Sequence, residues 1–248
     1  MKRNLPGSIK PCGCFCALSL LLQLACAPAF AAVEGQPNKA LQLQVAEKTV
    51  LFLPRSLRDL LHRHQESFER GVTSLSMDPF LSPSDRTRLE DRLLERLKLT
   101  IQSLDSRPRF AEVANSLGTI ASMVVYLSLP EGGDLTKEDF QFLLDYGAQN
   151  TANFPLVVYD RLVEPPGTDS LLNSIKAIRA RRAALSERFL MAYPQIALEK
   201  LGDRMNPRSA LFGISSLLFS HSINDLARIW CQVWKAANGD MSGMPAIP

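Results

Sequence analysis

The chain has 248 residues, of which 46% are hydrophobic and 21% are charged, with five cysteines and a formal net charge of +3. The first 31 positions hold three of its 28 basic residues, none of its 25 acidic residues and four of the five cysteines. The rest of the chain therefore has no net charge, which argues against nucleic acid as a partner. Cys231 is then the single cysteine, so no intramolecular disulfide is expected there.

Residues 1–31 have the pattern of a secretory signal peptide. Basic residues precede an apolar run from Phe15 to Ala25, and a small-x-small cleavage signature ends at Ala31. We therefore expect an exported protein, periplasmic or extracellular, that is cleaved after Ala31. The alternative is a lipoprotein acylated at Cys26. No later segment reaches the roughly 18 uninterrupted apolar residues of a membrane span, so no integral membrane span is expected.

Apolar residues recur at helical spacing after the leader, which predicts one all-α domain over residues 32–238 and a flexible tail over 239–248. The segment 150–167 is predicted to be a long connection. About seven helices are predicted, and they run from Leu41 to Phe52, from Ser56 through Phe68, from Arg86 to Ser106, from Pro108 to Pro130, from Thr136 through Leu144, from Asp169 to Tyr193 and from Pro207 to Ala237.

The three histidines do not form a recognisable site. His62 and His64 are two positions apart, so on one helix they point in different directions and cannot share an ion. His221 lies between two serines, but adjacent helical residues diverge by about 100°, so these cannot form a nucleophile and base pair. We interpret all three histidines as structural or surface residues.

Four segments resemble the zinc-dependent phospholipase C family, whose all-helical fold is shared by single-strand-specific nucleases. They span most of the chain after the leader, and the resemblance implies an irregular multi-helix bundle of the phospholipase C type. The segments are Val45 to Pro54, Phe68-Glu69-Arg70-Gly71 followed by Asp78, Leu117-Gly118-x-Ile120-Ala121 followed by Pro130, and Ser222 to Trp230.

The departures from this family fall at the positions that bind its zinc ions. By the resemblance, only Asp78 matches a metal ligand. The other ligand positions fall at or near Gln42, Ser122, Tyr126, Gly132 and Tyr146. The resemblance therefore implies a degenerate member that has largely lost its zinc ligands, with no catalytic residues and no expected cofactor. Its candidate vestigial pocket would be formed by Asp78, Ser122, Tyr126 and Tyr146.

These inferences favour an exported, non-catalytic, phospholipase C-like protein with a binding or scaffolding role in the cell envelope. Its partner would be an unknown ligand or another envelope protein. One alternative is a phosphoester or phospholipid hydrolase with an atypical site, which would use zinc or another metal through Asp78 and other carboxylates, or no metal. The other alternative is an unrelated α-helical envelope protein.

Overall fold

Eight α-helices account for most of the residues that the computed structural model describes, which are 37–106, 109–131, 136–158, 170–199 and 208–245. A 3₁₀ turn covers Thr151–Asn153, and the described residues contain no strand, so the predicted all-α class is confirmed. The helices are α1 (Pro37–Val50), α2 (Arg55–Arg63), α3 (Gln65–Ser74), α4 (Pro83–Asp105), α5 (Phe110–Ser128), α6 (Lys137–Asn150), α7 (Ser170–Glu199) and α8 (Ala210–Ala236).

All eight helices lie within one compact unit, Gly35–Pro248. The predicted signal peptide, with Ala31 and Cys26, lies outside the described residues.

Helix α5 lies at the centre of this helical unit. Every residue from Leu117 to Ser128 is buried, because α1, α3, α4, α7 and α8 all contact this helix. Among the described residues it is the one helix that is long and apolar enough to cross a membrane, and 72% of that apolar window is buried inside the protein. A helix that is apolar on all sides is typical of a protein core.

Two glycines allow α3 and α5 to cross at close range. A Cβ atom on Gly71 would lie 2.0 Å from the carbonyl oxygen of Asn115, and a Cβ atom on Gly118 would lie 2.2 Å from that of Phe68. Both obstacles are backbone atoms, so neither can move aside as a flexible side chain would. The glycines in two of the segments that resemble phospholipase C therefore serve helix packing.

The predicted second helix is two helices in the structure. Helices α2 and α3 meet at His64, whose φ of −120° and ψ of 34° are not helical. Leu61 and Phe68, on either side of the break, are both buried, so the apolar spacing continues through it. The spacing of apolar residues therefore gave no signal for the break. The His64 ring stacks on Phe110, with ring centroids 6.5 Å apart.

The described part of the predicted tail contacts the start of α2. Ser56 Oγ donates a hydrogen bond of 2.7 Å to the carbonyl oxygen of Asp240, and the Arg55 N–H donates one of 3.1 Å to that of Ser242. The Trp234 Nε1–H on α8 donates to the same Asp240 oxygen at 3.0 Å. These bonds join residues 240–242 to the ends of α2 and α8.

Candidate functional site

The four residues of the candidate vestigial pocket lie in two different environments. Ser122, Tyr126 and Tyr146 are 0%, 2% and 3% exposed, so they belong to the core. The side chain of Asp78 is 50% exposed and lies at the surface. The structure therefore brings three of the four residues into the core and leaves the aspartate at its edge.

Tyr126 connects α5 to the segment that carries Asp78. Its hydroxyl accepts a hydrogen bond of 3.2 Å from the Met77 N–H and donates one of 3.1 Å to the Met77 carbonyl oxygen. The ring fills space in the core, and the hydroxyl fixes the residue that precedes Asp78. By the resemblance, this position would carry a metal-binding aspartate, and here it carries a structural side chain.

Ser122 and Gln42 are among the described residues that bury an unsatisfied polar atom. Ser122 Oγ and Gln42 Oε1 have no hydrogen-bond partner among the described residues, although both residues are almost fully buried. An unsatisfied buried acceptor or donor costs about 1–3 kcal/mol relative to one that is bonded. Both residues lie at or near positions where the resemblance places a zinc ligand. Gly132, a third such position, lies outside the described residues.

Tyr146 belongs to an aromatic cluster that joins α6 to α8. Its ring centroid lies 6.4 Å from that of Phe154, which in turn lies 5.2 Å from Phe212 and 5.9 Å from Phe219. The Asn150 side chain donates a hydrogen bond of 2.9 Å to the Tyr146 carbonyl oxygen. Tyr146 thus contributes to core packing.

Asp78 lines a surface groove of about 480 Å³ that also includes the start of α6. Its Oδ2 accepts a hydrogen bond of 2.7 Å from Lys137 Nζ, and its Oδ1 accepts one of 2.9 Å from the Phe80 N–H. The bond from Lys137 is the main cause that holds the pKa of Asp78 below its usual range. The bond to the N–H two residues ahead is the geometry of an Asx turn, which is a structural role.

No group of three or more histidine, cysteine, aspartate or glutamate residues within the described ranges is placed to hold a metal ion. Cys231 is fully buried, and burial raises the pKa of its thiol to about 12. A thiol of this kind stays protonated at neutral pH and is a poor nucleophile. Burial, followed by the charges of Arg181 and Arg188, lowers the pKa of His221 to about 4.

Two buried arginines donate hydrogen bonds to backbone carbonyl groups at the end of α5. These bonds were not predicted from the sequence. Arg86 donates hydrogen bonds of 3.1 Å to the carbonyl oxygens of Leu129 and Pro130, and Arg182 donates one of 3.3 Å to that of Leu127. Burial lowers the pKa of Arg86 to about 10. These bonds satisfy carbonyl groups that a helix end leaves without partners.

Carboxylates neutralise the charge of Arg182 and of its neighbour Arg179. Glu90 on α4 forms ion pairs with Arg179 and Arg182, and Arg182 also bonds to Glu131 at 3.1 Å. The partners of Arg182 were not predicted, because they lie about 50 and 90 positions away in the sequence.

The chain matches no protein-family model, no curated protein and no solved structure. The phospholipase C resemblance therefore rests on the residues quoted for it.

Proposed function

We propose that this protein is an exported, non-catalytic helical protein of the phospholipase C-like type, with a binding or scaffolding role in the cell envelope. The observation that supports this most is Tyr126, which is buried and bonded to the backbone of Met77 where the resemblance places a metal ligand. The burial of Ser122 at a second ligand position supports the same conclusion. Asp78, the retained aspartate, is paired with Lys137.

In this proposal the protein does not catalyse zinc-dependent hydrolysis, because several of the zinc ligands that the resemblance implies are missing. A metal-activated water needs an ion held by several converging groups, which lowers the pKa of the water toward about 7. A single exposed carboxylate that is already bonded to a lysine does not provide such a site. The protein would then keep a helical scaffold and act by binding.

Zinc content and phosphodiesterase activity test this proposal. Purified protein is dialysed and its zinc is measured by mass spectrometry, and hydrolysis of bis(p-nitrophenyl) phosphate and phosphatidylcholine is followed with added zinc and with chelator. We expect no stoichiometric zinc and no hydrolysis above the background. Chelator-sensitive activity that the Asp78→Ala variant abolishes would instead establish the hydrolase alternative.

Export is tested separately. Mass spectrometry of the protein from the envelope and culture medium of a bacterial expression host is expected to show a chain that begins at Ala32. A mass that indicates a lipid on Cys26 would establish the lipoprotein alternative. An unprocessed chain in the cytoplasm would contradict export.

A further inference from the structure

A small apolar pocket opens at the surface where the ends of α1 and α2 meet α3. Its volume is about 120 Å³. Val50, Leu61 and Phe68 are buried beneath it, whereas Leu51 at its edge is 55% exposed. A cavity of about 10–15 Å³ already holds one water molecule, so this pocket has room for the end of a side chain.

Two carboxylates lie at this pocket, Glu47 from α1 and Glu69 from α3. Burial is the main cause that raises the pKa of Glu47, and the negative charge of Glu69 adds to it. Gln65 donates a hydrogen bond of 2.6 Å to Glu69 Oε1. The Glu47 carboxylate has no hydrogen bond or ion pair with any described residue, and neighbouring Lys48 is exposed. A cation placed between the two carboxylates would relieve their repulsion.

A larger polar groove adjoins the apolar pocket. It has a volume of about 460 Å³ and is formed by the end of α2, the His64 break and the start of α3. The groove and the pocket share His62, Gln65 and Glu69. The polar groove therefore borders the apolar pocket and its two carboxylates.

We propose that this surface binds a segment of a partner polypeptide and that a lysine side chain of the segment occupies the pocket. The end of a lysine side chain is small enough to enter the pocket. Its methylene groups would contact Leu51 and Leu61, as lysine stems commonly do at apolar surfaces. Its ammonium group would form charge-assisted hydrogen bonds with Glu47 and Glu69.

The adjoining groove supports a polypeptide as the partner that carries the lysine. The peptide groups that flank a lysine need polar surroundings, and the groove offers the side chains of His62 and Gln65 next to the pocket. This inference rests on the proposed binding role and gives that role a partner class. The zinc and phosphodiesterase measurements test catalysis, so they can fail or succeed independently of peptide binding.

Methyl NMR of the full protein tests the proposal through the assigned signals of Val50, Leu51 and Leu61. The probe is the peptide acetyl-Ala-Lys-Ala-amide, and the matched peptide carries norleucine, which has the apolar stem without the ammonium group. We expect the lysine peptide to shift these signals and the norleucine peptide to leave them unchanged at equal concentration. The Glu47→Gln and Glu69→Gln variants should each weaken lysine-peptide binding at least about ten-fold, because each removes a charge-assisted bond.

Glu95→Gln on the exposed face of α4 serves as the matched control and should leave peptide binding unchanged. Thermal unfolding of each variant shows that the fold is intact. Equal binding of the norleucine peptide would overturn the role of the carboxylates. Binding of n-butylammonium as tight as that of the lysine peptide would show a site for free amines and overturn the polypeptide partner. No shift with millimolar lysine peptide would overturn the site.

Discussion

Ser122 and Tyr126 lie one helical turn apart on α5 and differ in how their polar groups are accommodated. The Tyr126 hydroxyl both donates to and accepts from the backbone of Met77. The Ser122 hydroxyl has no partner among the described residues. A satisfied buried hydroxyl makes a net contribution of about 0.5–1.5 kcal/mol per hydrogen bond, whereas an unsatisfied one reduces stability. The two positions should therefore respond in opposite directions when the hydroxyl is removed.

We expect Tyr126→Phe to lower the free energy of unfolding by about 1–2 kcal/mol, because it removes both bonds to Met77 and keeps the ring. Ser122→Ala is expected to raise it by up to about 1 kcal/mol, because it removes an unsatisfied polar atom from the core. Urea unfolding monitored by circular dichroism measures both values. A loss of more than 1 kcal/mol for Ser122→Ala would show that its hydroxyl has a partner, such as a buried water.

The sequence identified these residues through the phospholipase C resemblance, but it did not predict that they are packed in the core. Apolar residues at helical spacing from Val113 to Leu127 form one stripe along this helix, which is the pattern that predicts burial. Ser122 lies off that stripe and is nevertheless 0% exposed, because neighbouring helices cover α5 on all sides. The environment of a residue on a central helix depends on tertiary contacts, which one sequence does not reveal. Asp78 precedes Pro79, a pair of residues that favours a turn, but the sequence does not reveal the bond from Lys137.

Helices α3 and α5 cross at close range. The backbone of each helix lies so near the other that a methyl group at Gly71 or Gly118 would overlap a carbonyl oxygen. Neither glycine has a positive φ, so packing alone requires them. Glycine in a helix interior reduces stability by about 1 kcal/mol relative to alanine, and the close crossing has to offset this cost.

We expect Gly71→Ala and Gly118→Ala each to lower the free energy of unfolding by about 3 kcal/mol or more, because the helices must separate to admit the new methyl group. Gly213→Ala on α8 is the matched control. A Cβ atom there has no neighbour within 4 Å, so this variant should gain about 0.5–1 kcal/mol from helix propensity. Thermal unfolding compares the three variants. Equal stabilities would contradict the close crossing.

Helices with a clear polar face were predicted closely, whereas details set by single residues were not. The predicted helix from Arg86 begins at Pro83 in the structure, because Ser82 accepts a hydrogen bond of 3.1 Å from the Asp85 N–H. Several nearby residues can act as caps, so composition does not select among them. The interruption at His64 has no glycine or proline to mark it. Its neighbours α2 and α3 were therefore predicted as one helix.

Ion pairs join α7 to two other helices, α4 and α8. Arg179 and Arg182 pair with Glu90 on α4, and Arg181 pairs with the buried Asp225 on α8. Buried ion pairs contribute little net stability, but breaking one is destabilising because a charge is left in the core. The arginines of α7 also place positive charge close to His221 on α8. The stability of the molecule should therefore depend on pH through this histidine.

The pKa of His221 is lowered to about 4 in the folded protein, mainly by burial and then by the charges of Arg181 and Arg188. In the unfolded chain it is close to 6.5, so the folded state favours the neutral imidazole. The resulting stability is fully present above pH 6.5 and is lost as the pH falls toward 4. Because the side chain is half-buried and solvent screens the charges, we expect a contribution of at most about 2 kcal/mol.

Urea unfolding of wild type and His221→Gln at a series of pH values between 7.5 and 4.5, chosen to span this titration, measures the contribution. We expect the stability of the wild type relative to the variant to stay constant down to about pH 6.5 and to fall as the pH decreases toward 4.5, since glutamine takes up no proton. His62→Gln, at an exposed position on α2, controls for the loss of an imidazole. The comparison with wild type cancels the carboxylates that also titrate in acid, because both chains carry them. Parallel curves for wild type and His221→Gln would contradict the electrostatic environment that α7 provides for His221.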